Sequence, residues 1–337
     1  MIVTSDTSFL RRHNLTVWKK IGEGAFAKVY LVKFGNPEDE NTMTIATKVI
    51  NKNRVSAKFA EKFLPRELDM LVKLKHPYIV QVYSILQNGY KVFINMEYAA
   101  NGDLFTYLQN KTLEEPQIRS WFMQILYAFM YMHRMGVVHR DLKCENILLT
   151  HNYNVRIADF GFARFVDRGR NPGADTPCGT ITYSSPELLS GKQPYNPVLV
   201  DVWAIGVVLF VMANNAEPFR DKNKIEMHKK QMAKKYSFRR SNMRSRRLKD
   251  LIATFLEPNC NKRTRLKDAL QHPWIKEGYI QMPEDVVAAN NSNRPILSSN
   301  PVISLKSLKV PGFRYQLTEY VKTDSIINEG FAALKKK

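Results

Sequence analysis

Eight consecutive residues, His139-Arg140-Asp141-Leu142-Lys143-Cys144-Glu145-Asn146, constrain this 337-residue chain more than any other stretch. Counted from Asp141, they set an acid, a cation and an amide at offsets of zero, two and five, followed at once by apolar Ile147, Leu148 and Leu149. These groups can converge on one phosphoryl-transfer centre. Asp141 would orient and deprotonate an incoming hydroxyl, Lys143 would neutralise charge on the transferred phosphate, and Asn146 would ligate magnesium. Thirteen residues beyond Asn146, after strand-like residues 155–158, comes Asp159-Phe160-Gly161. Its carboxylate is a hard oxygen ligand able to bridge Mg²⁺ to phosphates.

Upstream of this string the pattern is β-rich, with runs at residues 17–21, 28–34, 44–50, 80–87 and 91–97. One helix interrupts them over 63–74, where Leu64, Glu67, Leu68 and Leu71 follow i, i+3, i+4, i+7 spacing, so Glu67 lies on the inward stripe. Gly22-Glu23-Gly24-Ala25-Phe26-Ala27-Lys28-Val29 joins the first two runs, and its glycines let backbone amides approach phosphates closely. A Rossmann loop would open a helix, whereas Phe26 leads into a strand, so this loop covers phosphates from a hairpin. Lys48 sits inside the apolar run Ile45-Ala46-Thr47-Lys48, and an ammonium there needs a carboxylate or phosphate. Glu67 is the expected carboxylate, and a Lys48–Glu67 pair that breaks when the helix swings out would be a control point.

After Asn101 and Gly102 the pattern turns helical, with Trp121, Ile125, Leu126 and Phe129 on one face. A loop region over 139–186 precedes a buried helix around Trp203 and further helices to Trp274. The apolar run 202–213 is shorter than the roughly 20 residues that span a bilayer, so no membrane span is expected. Beyond Met282 the composition shifts to Asn, Ser and Pro, as in a linker, and part of the tail is expected to be disordered. Hydrophobic residues at 44% and charged residues at 24% fit a folded chain. The three cysteines, Cys144, Cys178 and Cys260, have neither zinc spacing nor disulfide density, and residues 1–12 lack the apolar stretch of a secretory signal. A cytoplasmic location is expected, and a nuclear one fits equally.

Net charge is +20, from 51 Lys and Arg against 31 Asp and Glu, and twelve cations fall between Lys222 and Lys249. Such a balance raises nucleic acid, anionic membrane and acidic protein surfaces as partners. Zinc spacing, a helix-turn-helix pattern and an aromatic RNA-binding signature are lacking around these cations, which disfavours nucleic acid. The basic 222–249 region is expected either to be a solvated face or to dock an acidic partner.

Taken together, these strings make the chain resemble the protein kinase family, over about residues 18–274. The resemblance implies an α+β, bilobal fold. A small β-rich N-lobe with one control helix (17–97) would precede a larger helical C-lobe (98–274), flanked by extensions at 1–16 and 275–337. It implies ATP and Mg²⁺ as cofactors, with Ile21, Gly22, Gly24, Val29, Ala46, Lys48, Glu67 and Leu148 around the nucleotide, Met96 as gatekeeper, and Glu97 to Ala99 as the adenine-binding hinge. Asn146 and Asp159 would bind the metal. Glu187 of Ser185-Pro186-Glu187 would pair with Arg263, and Asp201 would brace the catalytic loop.

Within the family, Lys143 and Thr180 resemble the serine/threonine type. The strings around Cys144-Glu145, Asp159 to Ala163 and Cys178-Gly179-Thr180 are most similar to the calmodulin-dependent group and, within it, the testis-specific serine kinases. By the same resemblance Arg140 and Arg164 would bind a phosphate on Thr176, placed there by an upstream kinase, and this would order the loop. Asp103 and Glu145 would receive an arginine three residues before the target hydroxyl of a protein substrate. Ala27 stands where the family has a third glycine, the one departure that favours a non-catalytic scaffold.

Overall fold

A computed structural model describes residues 4–24, 27–35, 42–56, 64–161, 163–165, 181–191, 194–221, 223–239 and 243–277, all within the unit Met1–Ser298. In chain order the elements are α1 (Thr4–Arg11), β1 (Leu15–Glu23), β2 (Ala27–Phe34), β3 (Met43–Asn51), α2 (Leu64–Lys73), β4 (Val82–Asn88) and β5 (Lys91–Glu97), then α3 (Leu104–Gln109), α4 (Glu115–Arg134), β6 (Val137–Val138), β7 (Ile147–Leu149), β8 (Val155–Ile157) and β9 (Arg164–Phe165). The chain continues through α5 (Pro186–Leu189), α6 (Pro197–Asn214), α7 (Lys224–Met232), α8 (Arg246–Phe255), α9 (Leu266–Ala269) and α10 (Pro273–Lys276). A β-rich lobe followed by a helical one is the architecture expected from the sequence.

The first lobe is one antiparallel sheet of five strands in the order β1-β2-β3-β5-β4. Val29 pairs with Lys48, Lys48 with Ile94, and Ala46 with Met96. Residues opposite one another, or two apart on a strand, share a face. Val29, Ala46, Lys48 and Met96 therefore line one side of the sheet.

The opposite side carries Tyr30, Thr47, Phe93 and Asn95, all buried. There α1 enters the structure, within what the sequence suggested was only an extension. Leu10 is fully buried, the Phe9 ring lies 5.6 Å from that of Phe93, and Lys91 of β5 donates to the nearly buried Asp6 carboxylate. Eight residues give little periodicity to read, and these acquire an apolar face only against the sheet. Next to them Thr47 Oγ1 donates to Asn95 Oδ1 at 2.7 Å and Asn95 Nδ2 to Ser84 Oγ at 2.9 Å, so the buried polar groups of this face are paired.

In the second lobe α4 and α6 carry the core, with Trp121, Phe122, Phe129, Trp203, Phe255 and Trp274 essentially fully buried. α6 is capped at its start by Asn196 Oδ1, which accepts from Val198 N at 3.0 Å, with Pro197 in the first turn, and it ends on Asn215 in the left-handed region at φ 50°. It is the one helix among the described residues long and apolar enough to cross a bilayer, but 94% of it is buried inside the fold, so it is a core helix. Gly206 permits its closest contact. A Cβ there would lie 2.5 Å from Cβ of Phe255 on α8.

Candidate active site

The catalytic loop hangs between β6 and β7 and is fastened from below by Asp201 on α6. Asp201 Oδ2 accepts from His139 N at 2.9 Å and lies 2.8 Å from His133 Nε2, while Oδ1 accepts from Arg140 N at 2.8 Å. That grip holds Arg140 at φ 65°, a conformation costing a non-glycine residue on the order of 1 kcal/mol. His139 is itself buried, its Nε2 3.1 Å from Ala158 O, which ties the loop to the strand preceding Asp159.

Above this base the polar groups of the string meet as expected. Lys143 Nζ is 3.3 Å from Asp141 Oδ2. Asn146 Nδ2 donates to Asp141 O at 2.8 Å and approaches Asp141 Oδ2 at 3.4 Å, so its amide oxygen remains the atom able to ligate a cation. Residues 144–146 form a short 3₁₀ turn, which makes the five-residue offset a close approach in space.

Lys48 meets a carboxylate that the sequence had not paired it with. Its Nζ lies 3.1 Å from Asp159 Oδ1, whereas the Glu67 side chain falls outside the described residues, so the control-point pair stays an expectation. Asp159 sits at φ 61°, and its side chain is half exposed. Partial burial works to raise its pKa, but the Lys48 ammonium, its hydrogen bond, the His139 ring and the Gly161 N–H together outweigh this and hold the carboxyl below its ordinary value. It is thus kept ionised, as a metal ligand must be.

The nucleotide-binding candidates fall into two groups. Val29, Ala46, Lys48 and Met96 come from the sheet face described above, and Ile21, Gly22 and Gly24 from the end of β1, where Gly24 N donates to Ala27 O at 2.8 Å to close the turn. Ala27 opens β2 opposite Ile50 and adopts no positive φ, so a glycine is not required there. Leu148 comes from β7, which is stitched to the segment following the hinge: Asn101 N donates to Leu149 O at 3.0 Å, Leu149 N to Gly102 O at 2.8 Å, and Asp103 bridges Leu148. The hinge candidates Glu97 to Ala99 thus run directly into the floor of the same cleft.

Sequence reasoning missed several partners. Arg156 Nε binds Glu97 Oε2 at 2.6 Å, linking β8 to the hinge. Only alternation in β8 hinted at it, by pointing Val155 and Ile157 inward and Arg156 away. Asp103 caps α3, its Oδ1 accepting from Thr106 N at 2.8 Å and its Oδ2 from Thr106 Oγ1 at 2.9 Å, so this substrate-binding candidate also has a structural task. Glu145, in the catalytic loop, is exposed. Cys144 is fully buried, and burial, with smaller contributions from the charges of Glu145, Glu217 and Asp103, pushes its thiol up to about 12 against the opposing hydrogen bond with Tyr183. Thr176, Thr180 and the Arg164 side chain lie outside the described residues.

Glu187 and Arg263 do pair, at 2.7 and 2.9 Å through both guanidinium nitrogens. The protein kinase domain family matches residues 15–275. The chain belongs to the protein kinase family. Among kinases it falls with the serine/threonine type: it is 36% identical to human testis-specific serine/threonine-protein kinase 1 over 88% of this chain and 80% of that protein. The mouse protein of that name is 36% identical over 80% of this chain and 74% of its own length. CBL-interacting serine/threonine-protein kinase 12 of Arabidopsis thaliana is 36% identical over 77% of this chain and 52% of its own length.

Proposed function

We propose that this kinase transfers the γ-phosphoryl group of ATP to serine and threonine hydroxyls of proteins, with Asp141, Lys143, Asn146, Lys48 and Asp159 at the reaction centre. The observation that carries this reading is two polar pairs, Lys48 with Asp159 at 3.1 Å and Lys143 with Asp141 at 3.3 Å, on segments joined by the bond that Ala158 N donates to Asn146 O at 2.9 Å. Asn146 and Asp159 would hold Mg²⁺, since one offers an amide oxygen and the other an ionised carboxylate. The cation would neutralise charge on the triphosphate. Asp141 accepts the proton as the hydroxyl oxygen forms its bond to the γ-phosphorus. The bond from that phosphorus to the β–γ bridging oxygen breaks, and the electron pair leaves with ADP. Lys143 balances charge on the moving phosphoryl group, and Lys48 positions the nucleotide.

Two finer expectations belong to the same reading. Phosphate on Thr176 would bind Arg140 and Arg164 and order the loop, so that Thr176→Ala lowers turnover roughly tenfold. Asp103 and Glu145 would select arginine three residues before the acceptor, and the Asp103 cap leaves lone pairs for this. Mass-spectrometric mapping of phosphosites after incubation with Mg-ATP tests the central claim. Wild-type protein should acquire phosphate, and Asp141→Asn should lose on the order of 10²–10⁴-fold in rate. Equal phosphorylation of Asp141→Asn would refute the assignment.

A further inference from the structure

Residues 222–249 hold twelve cations and one acid, a net of +11 in a chain whose net charge is +20. Packing decides what this concentration does. The stretch is anchored along one side: Met227 and Gln231 of α7 are buried, Tyr236 and Phe238 pack against Phe210, and the end of α6 binds it through Asn214 Oδ1 to Arg239 N at 2.7 Å and Ala213 O to Arg244 Nε at 2.7 Å. Its other side faces outward. On α7 the residues Ile225, Lys229 and Met232 follow i, i+4, i+7 spacing away from the buried pair, and in the extended stretch after α7 the alternation that turns Tyr236 and Phe238 inward turns Lys235 and Arg239 out.

Two properties of the outward side stand out. Some of its cations are neutralised by neighbours, Lys229 by Glu226, Lys230 by Asp221, Lys234 by Glu257 and Arg247 by Glu277. Lys224, Lys235, Arg239 and Arg246 are exposed and make no ion pair among the described residues. The same stretch also carries three of the four most exposed large apolar side chains described: Met243 at 92%, Ile225 at 66% and Met232 at 53%. Exposed apolar side chains clustered with excess charge mark an interaction surface, where scattered single ones would not. Because these side chains project outward at such exposure, they suit insertion among acyl chains, with lysines and arginines beside them at headgroup level.

We propose that this exposed basic stretch, through Ile225, Met232 and Met243 with Lys224, Lys235, Arg239 and Arg246, docks the kinase on an anionic phospholipid surface. The apolar side chains enter the interface and the four cations meet the headgroup phosphates and carboxylates. None of these residues is among those assigned to the catalytic cleft, so the proposal stands apart from the mechanism above.

Sedimentation of the full chain with vesicles tests it, using phosphatidylcholine alone and phosphatidylcholine with about one-third phosphatidylserine, a fraction that gives a strongly negative surface. The kinase should bind the anionic vesicles only. The quadruple change Lys224→Glu, Lys235→Glu, Arg239→Glu, Arg246→Glu should weaken binding by about 100-fold or more. The triple change Ile225→Ser, Met232→Ser, Met243→Ser should weaken it about tenfold at unchanged charge. Activity on a soluble peptide, retained in both variants, shows that each still folds. Lack of binding to anionic vesicles, or binding unchanged in the quadruple variant, overturns the proposal. So does binding unchanged in the triple variant, which would mean long-range attraction without insertion. Tighter binding to poly-glutamate than to vesicles would overturn it in favour of an acidic protein partner.

Discussion

Arg263 is the place where a single conservative change should do the most damage. Its side chain is fully buried, and all of its nitrogens are committed: Nη1 donates to Glu187 Oε1 at 2.7 Å and Leu199 O at 2.8 Å, Nη2 to Glu187 Oε2 at 2.9 Å and Pro258 O at 3.4 Å, and Nε to Glu257 O at 2.9 Å. The guanidinium plane also lies 5.0 Å from the Trp203 ring. Lysine keeps the charge but presents three donors from one point, so Arg263→Lys cannot serve the paired carboxylate oxygens and the separate carbonyls together. Two or three buried acceptors would lose their partners at about 1–3 kcal/mol each. For a domain of this size 1 kcal/mol moves the thermal midpoint by about 2–4 °C, so the midpoint should fall on the order of 10 °C. Thermal unfolding followed by far-UV circular dichroism measures this. A paired replacement, Arg263→Met with Glu187→Leu, should be less damaging than Arg263→Met alone, which leaves the Glu187 carboxylate without its counter-charge. A midpoint within about 3 °C of wild type for Arg263→Lys would refute the reasoning.

His76 should give the kinase an acid-side stability slope. Burial, with the nearby positive charges of Arg134 and Arg156, lowers its pKa to about 3, so the unfolded chain takes up the proton first. This stability is complete above pH 6.5 and is lost as pH falls toward 3, by about 1.4 kcal/mol per unit. Denaturant titrations of His76→Gln between pH 7 and 5 should show that part of the slope gone. Gly206→Ala would drive a methyl into Phe255 at 2.5 Å and should destabilise by about 1–3 kcal/mol, read as a lower urea midpoint. The buried Cys144 thiol, pushed up to about 12, should resist iodoacetamide in folded protein at pH 8 and react once urea unfolds it. Modification of Cys144 at the rate of a free thiol would contradict its burial.

Legibility in the sequence followed the range of the interactions. β5 was readable to the residue, because apolar alternation over seven positions is a local signal. β8 showed as a strand-like run, but β7 and β9 were hidden inside a presumed loop and β6 just ahead of it, since two or three residues carry no period and are defined by partners such as Val137 with Phe165. α6 was read as an apolar run of twelve when it has eighteen residues; its first five residues include Pro197 and Asp201, which break the run in composition but not in conformation. In the site, residue types and offsets named Asp141, Lys143, Asn146 and Asp159. Which groups they touch depended on approach in space: nothing local said that Lys48 would meet Asp159, that Arg156 would hold Glu97, or that His133 would share Asp201.

The helix α1 bears on how this lobe can be handled. It precedes the family-matched stretch, which begins at residue 15, yet Lys91 and Phe93 are covered by it. Trimming the protein to the family boundary would strip the lid from a greasy sheet and strand an ammonium that has lost its counter-ion. Phe93 lies three residues from Met96 along the same strand, so such a shortened enzyme would be prone to clump and would hold its nucleotide less firmly than the whole chain.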